Sequence, residues 1–216
     1  VPAGGTVEAR VSITNPGPAV DGVLRVRVVD GAGGVGVVAP DQAVSIGAGP
    51  IRDLVVPVAM GGTLAGSYRL AAELVTSTER ALASAPLTVL ADASAGLHVS
   101  HDRASYLSGE DVVLDAVVSN LSLNAPLDGA TVRFEVRDAG GSPVMVLSDL
   151  AVPWLWVGGT ASVTASVSTR GVPEGAYQVR AVLRMAGATL ATADAQFDLV
   201  GRALLVGSMA VNGQGD

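Results

Sequence analysis

Two histidines and a carboxylate, His98-x-x-His101-Asp102, are the chain's one grouping with the donor types of a zinc site. Neutral imidazole nitrogens and a carboxylate hold zinc at roughly 2.0–2.2 Å. Residues three apart on a strand point to opposite faces, so the two rings converge only across a bulge. The spacing therefore reads as polar residues flanking a strand, and no metal is expected. Asp92, Asp102, Glu110 and Asp111 lie close together in sequence, as calcium ligands between tandem sandwiches do. Calcium needs about six to eight oxygens from a compact set, and no dense Asp-x-Asp run supplies them. These residues read as a solvated junction, with calcium there the lesser alternative.

Trp154-Leu155-Trp156 holds both tryptophans. On an extended chain their rings face one side and Leu155 the other. Large rings anchor interfaces, so Trp154 and Trp156 are the candidate intermolecular contact. Packing at the end of a domain is favoured over an exposed patch. The sequence holds no Gly-x-Ser-x-Gly elbow, phosphate loop or His-Glu-x-x-His pair. Glycine-rich Gly31–Gly36 lacks the strand-to-helix setting of a dinucleotide site and reads as a hairpin loop. The expectation is a protein that is not an enzyme, with no cofactor and no small-molecule substrate.

The elements that carry these residues are strands. Apolar residues make up 49% of the 216, enough to argue against disorder despite 27 glycines. They are Val, Ala and Leu in short runs cut by Gly, Pro, Asn and Asp, the pattern of an all-β sandwich. The best helical window, Ser67–Leu82, reads equally well as alternating strand. Cysteine is absent, which removes disulfides and thiolate metal sites. All 13 basic residues are arginine, so no Lys–Asn isopeptide can form. A net charge of −7, spread along the chain, argues against nucleic acid and against an anionic membrane. No apolar run approaches the ~20 residues of a membrane-spanning helix. The start at Val1, with neither Met nor a signal-like segment, suggests a mature form or an excerpt of a longer chain.

Read in order, the chain says one sentence twice. Gly171-Val172-Pro173-Glu174-Gly175-Ala176-Tyr177 restates Gly62-Thr63-Leu64-Ala65-Gly66-Ser67-Tyr68, with a strand after each tyrosine. Gly109 to Asn120 matches Gly4 to Asn15 at an offset of 105, and Asp128-Gly129 matches Asp21-Gly22 at 107. Arg133–Asp138 matches Arg25–Asp30 at 108, Tyr177 matches Tyr68 at 109, and Phe197 matches Leu87 at 110. The offset grows only across predicted loops, where insertions fall. Strands are expected at 6–14, 23–30, 35–38, 44–46, 51–58, after Tyr68, and at 82–90. Pro86 in the last marks a bulge or an edge.

The phrase Gly-Glu-x-Val, a strand to Asn, a Val/Arg strand to Asp-x-Gly-Gly, then Pro-x-Gly-x-Tyr-x-Val resembles bacterial immunoglobulin-like and fibronectin-like repeats of the CARDB type. The resemblance implies tandem repeats of large bacterial surface proteins: extracellular, on the cell surface, as stalk, filament or adhesin. It brings no active-site residues. Two tandem immunoglobulin-like sandwiches of about seven strands each are expected, at 1–91 and 97–201, joined by the linker 91–96. The second copy opens with a strand, 97–107, that has no counterpart in the first. Arg202–Asn212, followed by a Gly-acid exit, looks like that strand again, with Leu204, Leu205, Val206, Met209 and Val211 as its apolar residues. The segment 202–216 thus begins a further repeat or is donated to the next molecule. The expected function is a structural repeat unit of an extracellular fibre or stalk whose partners are its own copies, head to tail. The alternative is an adhesive carbohydrate- or protein-binding module.

Overall fold

The computed structural model describes residues 1–201, Pro50 and Ile51 by backbone only. Its described residues are all-β: sixteen strands and no helix. Nothing in them is long and apolar enough to cross a membrane as a helix. They form two compact units. The first comprises Val1–Ala95, Asn120–Asp128 and Trp154–Gly159; the second comprises Gly96–Ser119, Gly129–Pro153 and the described residues from Thr160 on. The donor-strand candidates Leu204, Leu205, Val206, Met209 and Val211 lie outside the described residues.

In the first unit, β1 (Thr6–Asn15) pairs antiparallel with β5 (Gly49–Ala59) as a two-stranded sheet. The other sheet is ordered β3 (Val35–Val38), β2 (Val20–Asp30), β6 (Gly66–Thr76), β7 (Arg80–Val89), with β4 (Gln42–Ile46) also on β2. Alternation explains the core. Leu24, Val26 and Val28 of β2 point inward, where they meet Val56, Val58 and Met60, while Arg25 and Arg27 point out to Asp41 and Glu73. The helical reading of 67–82 is excluded: β6 and β7 form a hairpin in continuous register. Pro86 faces Arg69 without a register shift, so it marks an edge strand and no bulge.

The second unit repeats the plan. One sheet is ordered β14 (Thr160–Ser168), β10 (Asp111–Asn120), β8 (Ala95–His101). The other runs β12 (Pro143–Val146), β11 (Thr131–Arg137), β15 (Gly175–Met185), β16 (Ala188–Val200), β9 (Ser105–Leu107), with β13 (Leu150–Ala151) on β11. The repeat extends to register. Val28 faces Leu70 across β2 and β6, and their equivalents Val136 and Val179 face each other across β11 and β15. Val28 and Val136 are both fully buried.

The repeated turns follow from local chemistry. Asp30 Oδ1 accepts from the backbone N–H groups of Ala32 and Gly34, and Asp138 Oδ1 accepts from that of Ser142. Gly33 and Gly141 take φ of +88° and +81° there, a region glycine enters without a Cβ clash. The hydroxyls of Tyr68 and Tyr177 each donate to a carbonyl four residues upstream, those of Leu64 (2.9 Å) and Pro173 (2.8 Å). The two tyrosines hold equivalent places.

Candidate functional site

The second copy's opening strand is not the single run 97–107 that its sequence suggests. It breaks at Asp102–Ala104. β8 lies on β10, and after the break β9 pairs in parallel with β16, Leu199 opposite Tyr106. One short stretch thus changes sheets and shuts the seam between them. Val99 and Tyr106 are its buried plugs. The Tyr106 ring meets Phe197 edge-on at 5.7 Å, and Phe197 stacks on Tyr177 at 5.8 Å. Such aromatic contacts add about 0.5–1.5 kcal/mol each beyond burial.

The break is held by the acidic residues that sequence places among calcium ligands. Asp102 Oδ1 accepts from the Tyr106 hydroxyl (2.6 Å), and Glu110 Oε2 accepts from Leu107 N–H (3.0 Å) and Arg103 Nη1 (3.1 Å). The Arg103 guanidinium lies 4.6 Å from the Tyr106 ring centroid. Asp111 is exposed, and the Asp92 backbone N–H donates to Asn124 Oδ1 (3.0 Å). Among the described residues no group of three or more His, Asp or Glu side chains could hold a metal. His98 is exposed, whereas His101 turns its ring toward Phe197 and donates from Nε2 to the Gln196 carbonyl (2.7 Å).

The hydrogen bond from Tyr106 holds the Asp102 carboxyl below its usual value of 3.8, while burial and that same bond push the tyrosine up. A depressed carboxyl contributes stability above its unfolded value and loses it as pH falls through the folded one. Asp102→Asn is therefore expected to lower the thermal midpoint at neutral pH, with the gap to the wild-type chain closing as pH falls below 3.8. A gap independent of pH would remove the carboxylate's role.

Among the described residues, the equivalent seam of the first unit is open. β1 pairs with β5 on one edge, and its other edge has no strand partner among the described residues. β7 carries only Val1, whose terminal amine donates to Thr88 O (2.7 Å) and whose carbonyl accepts from Leu90 N–H (2.9 Å). At the offset of 105 Val1 holds the place of Tyr106, so none of the described residues matches β8 in the first unit.

Burial records the difference. Val179, Ala181 and Leu183 of β15 are each 0% exposed, whereas Leu70, Ala72 and Leu74 of β6 are only half-buried. Val112 and Ala116 of β10 are buried where Val7 and Val11 of β1 are half-buried. Two adjoining hollows of about 240 and 200 Å³ run along this seam. Val11, Ala72 and Ala83 line both, with Ala85 at one end and Leu74 at the other. Their lining is mixed, with Arg10, Ser12, Thr14 and Ser84 among apolar residues, and has no paired acid, base and nucleophile of the kind chemistry on a substrate requires.

Three solved structures are similar to parts of this chain. Red sea bream transglutaminase matches over 93% of this chain and 30% of its own, at 15% identity and a TM-score of 0.41. The CARDB domain of a Pyrococcus furiosus protein, solved in complex with di-metal ions, matches over 51% of this chain and 89% of its own, at 15% and 0.40. A Pseudomonas fluorescens alkylpurine DNA glycosylase, bound to DNA containing an abasic site analogue, matches over 52% and 31%, at 19% and 0.38. These are likenesses of fold. The chain spans less than a third of the transglutaminase and of the glycosylase. No protein-family model matches, and no curated protein sequence does.

Trp154 and Trp156 are 45% and 58% exposed, and their rings meet edge-on at 4.3 Å. They pack on each other, and neither is buried under the end of a sandwich as the sequence reading favours. Leu155 between them is buried and exchanges two backbone hydrogen bonds with Leu127. A feature the sequence reading missed is the asparagine ending each first long strand. Asn120 Nδ2 donates to Ala125 O (3.0 Å) and Leu155 O (3.1 Å), and its Oδ1 accepts from Ser122 N–H (3.0 Å). Asn15 does the same with Pro18 O, Ile46 O and Gly17 N–H. Its recurrence at the repeat offset was the available signal.

Proposed function

We propose that the chain is a structural repeat segment of an extracellular bacterial fibre, filament or surface stalk. Its copies associate head to tail, and the first sandwich of each is completed by a strand from its neighbour. The observation that carries this reading is the repeat of one plan in both units, down to strand register. An unpaired strand edge over half-buried leucines favours strand addition, because main-chain hydrogen bonds and alternate side chains are gained together. The CARDB-type resemblance of the turn and strand motifs supports tandem repeats at a cell surface. No catalytic role and no small-molecule substrate belong to this reading, and neither does nucleic acid or membrane insertion.

Light scattering and electron microscopy of the full chain should show mass growing with concentration, and a chain ending at Gly201 should stay monomeric. A full chain that remains monomeric at high concentration would end the head-to-tail reading. The exposed tryptophan pair favours a second reading, an adhesive module in which Trp154 and Trp156 touch a carbohydrate or protein. On that reading Trp156→Ala abolishes capture of the ligand and leaves assembly unchanged.

A further inference from the structure

We infer that the second unit is a tension-bearing link whose load falls on the parallel pairing of β9 with β16. The inference rests on the stalk reading for its biological use and names the work the module does there.

The direction of the chain decides how this pairing is loaded. Ser105, Tyr106 and Leu107 lie opposite Asp198, Leu199 and Val200, and the two strands run the same way. The chain enters β9 from Ala104 and leaves β16 at Gly201. In a parallel pair those points lie at opposite ends, so tension along the chain drags the strands past each other. Asp198 N–H donates to Ala104 O (3.1 Å) at one end, and Ser108 N–H donates to Val200 O (3.0 Å) at the other. Parallel ladders space their bonds evenly, so sliding stretches all of them together. Pulled apart from one end, the same bonds would break in turn.

Side chains oppose the same sliding. The buried Tyr106 ring of β9 meets Phe197 of β16 edge-on, and Phe197 is stacked on Tyr177 of β15. Moving β9 along β16 must drag Tyr106 past that ring through a close-packed interior. The flanks of β9 are fastened as well. Before it, the Tyr106 hydroxyl reaches back across the break to Asp102 Oδ1. After it, the Glu110 carboxylate accepts from Leu107 N–H, and the Glu110 carbonyl accepts from the hydroxyl of Thr169 (2.7 Å), a fully buried residue. That hydroxyl oxygen accepts in turn from Gly109 N–H (3.0 Å).

Because the chain has no native cysteine, one introduced thiol can carry a pulling handle. Full-length chain is tethered by a tag at its C-terminus and pulled through Ala104→Cys in one variant and Leu107→Cys in the other, both exposed positions. The first handle slides β9 along β16, whereas the second opens the pair from its Leu107–Val200 end. Forced unfolding follows the rate of crossing the loaded barrier, so at one pulling speed the rupture force through Ala104 is expected to be at least about twice that through Leu107. Phe197→Leu should lower the force through Ala104 and leave that through Leu107 unchanged. Equal forces in the two directions overturn the inference, and the stalk reading, which is tested by assembly, stands. A twofold difference in a chain that never assembles upholds the inference and ends the head-to-tail reading. A Phe197→Leu chain weakened by the same factor in both directions overturns the inference too, since the ring would then act only through overall stability.

Discussion

Leu183→Ala is expected to destabilise the second unit by about 2–5 kcal/mol, the usual cost of truncating a fully buried leucine. The leucine is 0% exposed, on β15, opposite Ala191 of β16 and Val132 of β11. Leu74→Ala, its equivalent at the offset of 109, should cost less than half as much in the unassembled chain. Leu74 already borders an open hollow, so truncating it removes less buried area and leaves no sealed cavity. Amide hydrogen exchange read strand by strand would separate the two, because opening energies are local. Equal losses at β15 and β6 would mean that the first unit's seam is closed in solution. In assembled material the cost at Leu74 should rise toward that at Leu183, since a seated strand would seal the same hollow.

The second large effect is at Asn120. Its amide is buried, and all three of its hydrogen bonds go to backbone groups of turns. Asn120→Ala strands the Ala125 carbonyl and the Ser122 N–H away from water, while the Leu155 carbonyl keeps its bond from Leu127 N–H. Unsatisfied buried groups cost roughly 1–3 kcal/mol each, so a total loss of about 2–6 kcal/mol is expected. Asn120→Asp should be no milder, because a carboxylate would face two carbonyls it cannot donate to. Urea unfolding of the two variants decides this, and a tolerated Asp would refute the account. Asn15→Ala should cost only about 1 kcal/mol, since Asn15 is half-buried and its bond to Ile46 O is long at 3.4 Å.

The acidic residues show why position in sequence misleads about ligands. Asp102 and Glu110 are close along the chain and look like oxygens awaiting a cation. Folding gives each a donor of its own: the Tyr106 hydroxyl for one, Leu107 N–H and Arg103 for the other. A carboxylate with such partners is compensated. The donors become visible only when the strand breaks and changes sheets, and alternation does not encode that break.

Much of this protein was set by local sequence. Strand positions followed from two-residue alternation, because a pleated strand sends successive side chains to opposite faces whatever surrounds it. Turns followed from Asp, Gly and Pro, whose preferences act within a few residues. The repeat followed from matching Tyr68 with Tyr177 and Asn15 with Asn120. Tertiary structure decided what depends on groups far apart in the chain. The exposure of Trp154 and Trp156 depended on whether another segment covers them. The difference between half-buried Leu74 and fully buried Leu183 could not be read from two leucines in like strands. Burial is set by side chains that distant segments bring across the sandwich, and the two units are not packed alike: Leu183 is sealed where Leu74 borders a hollow.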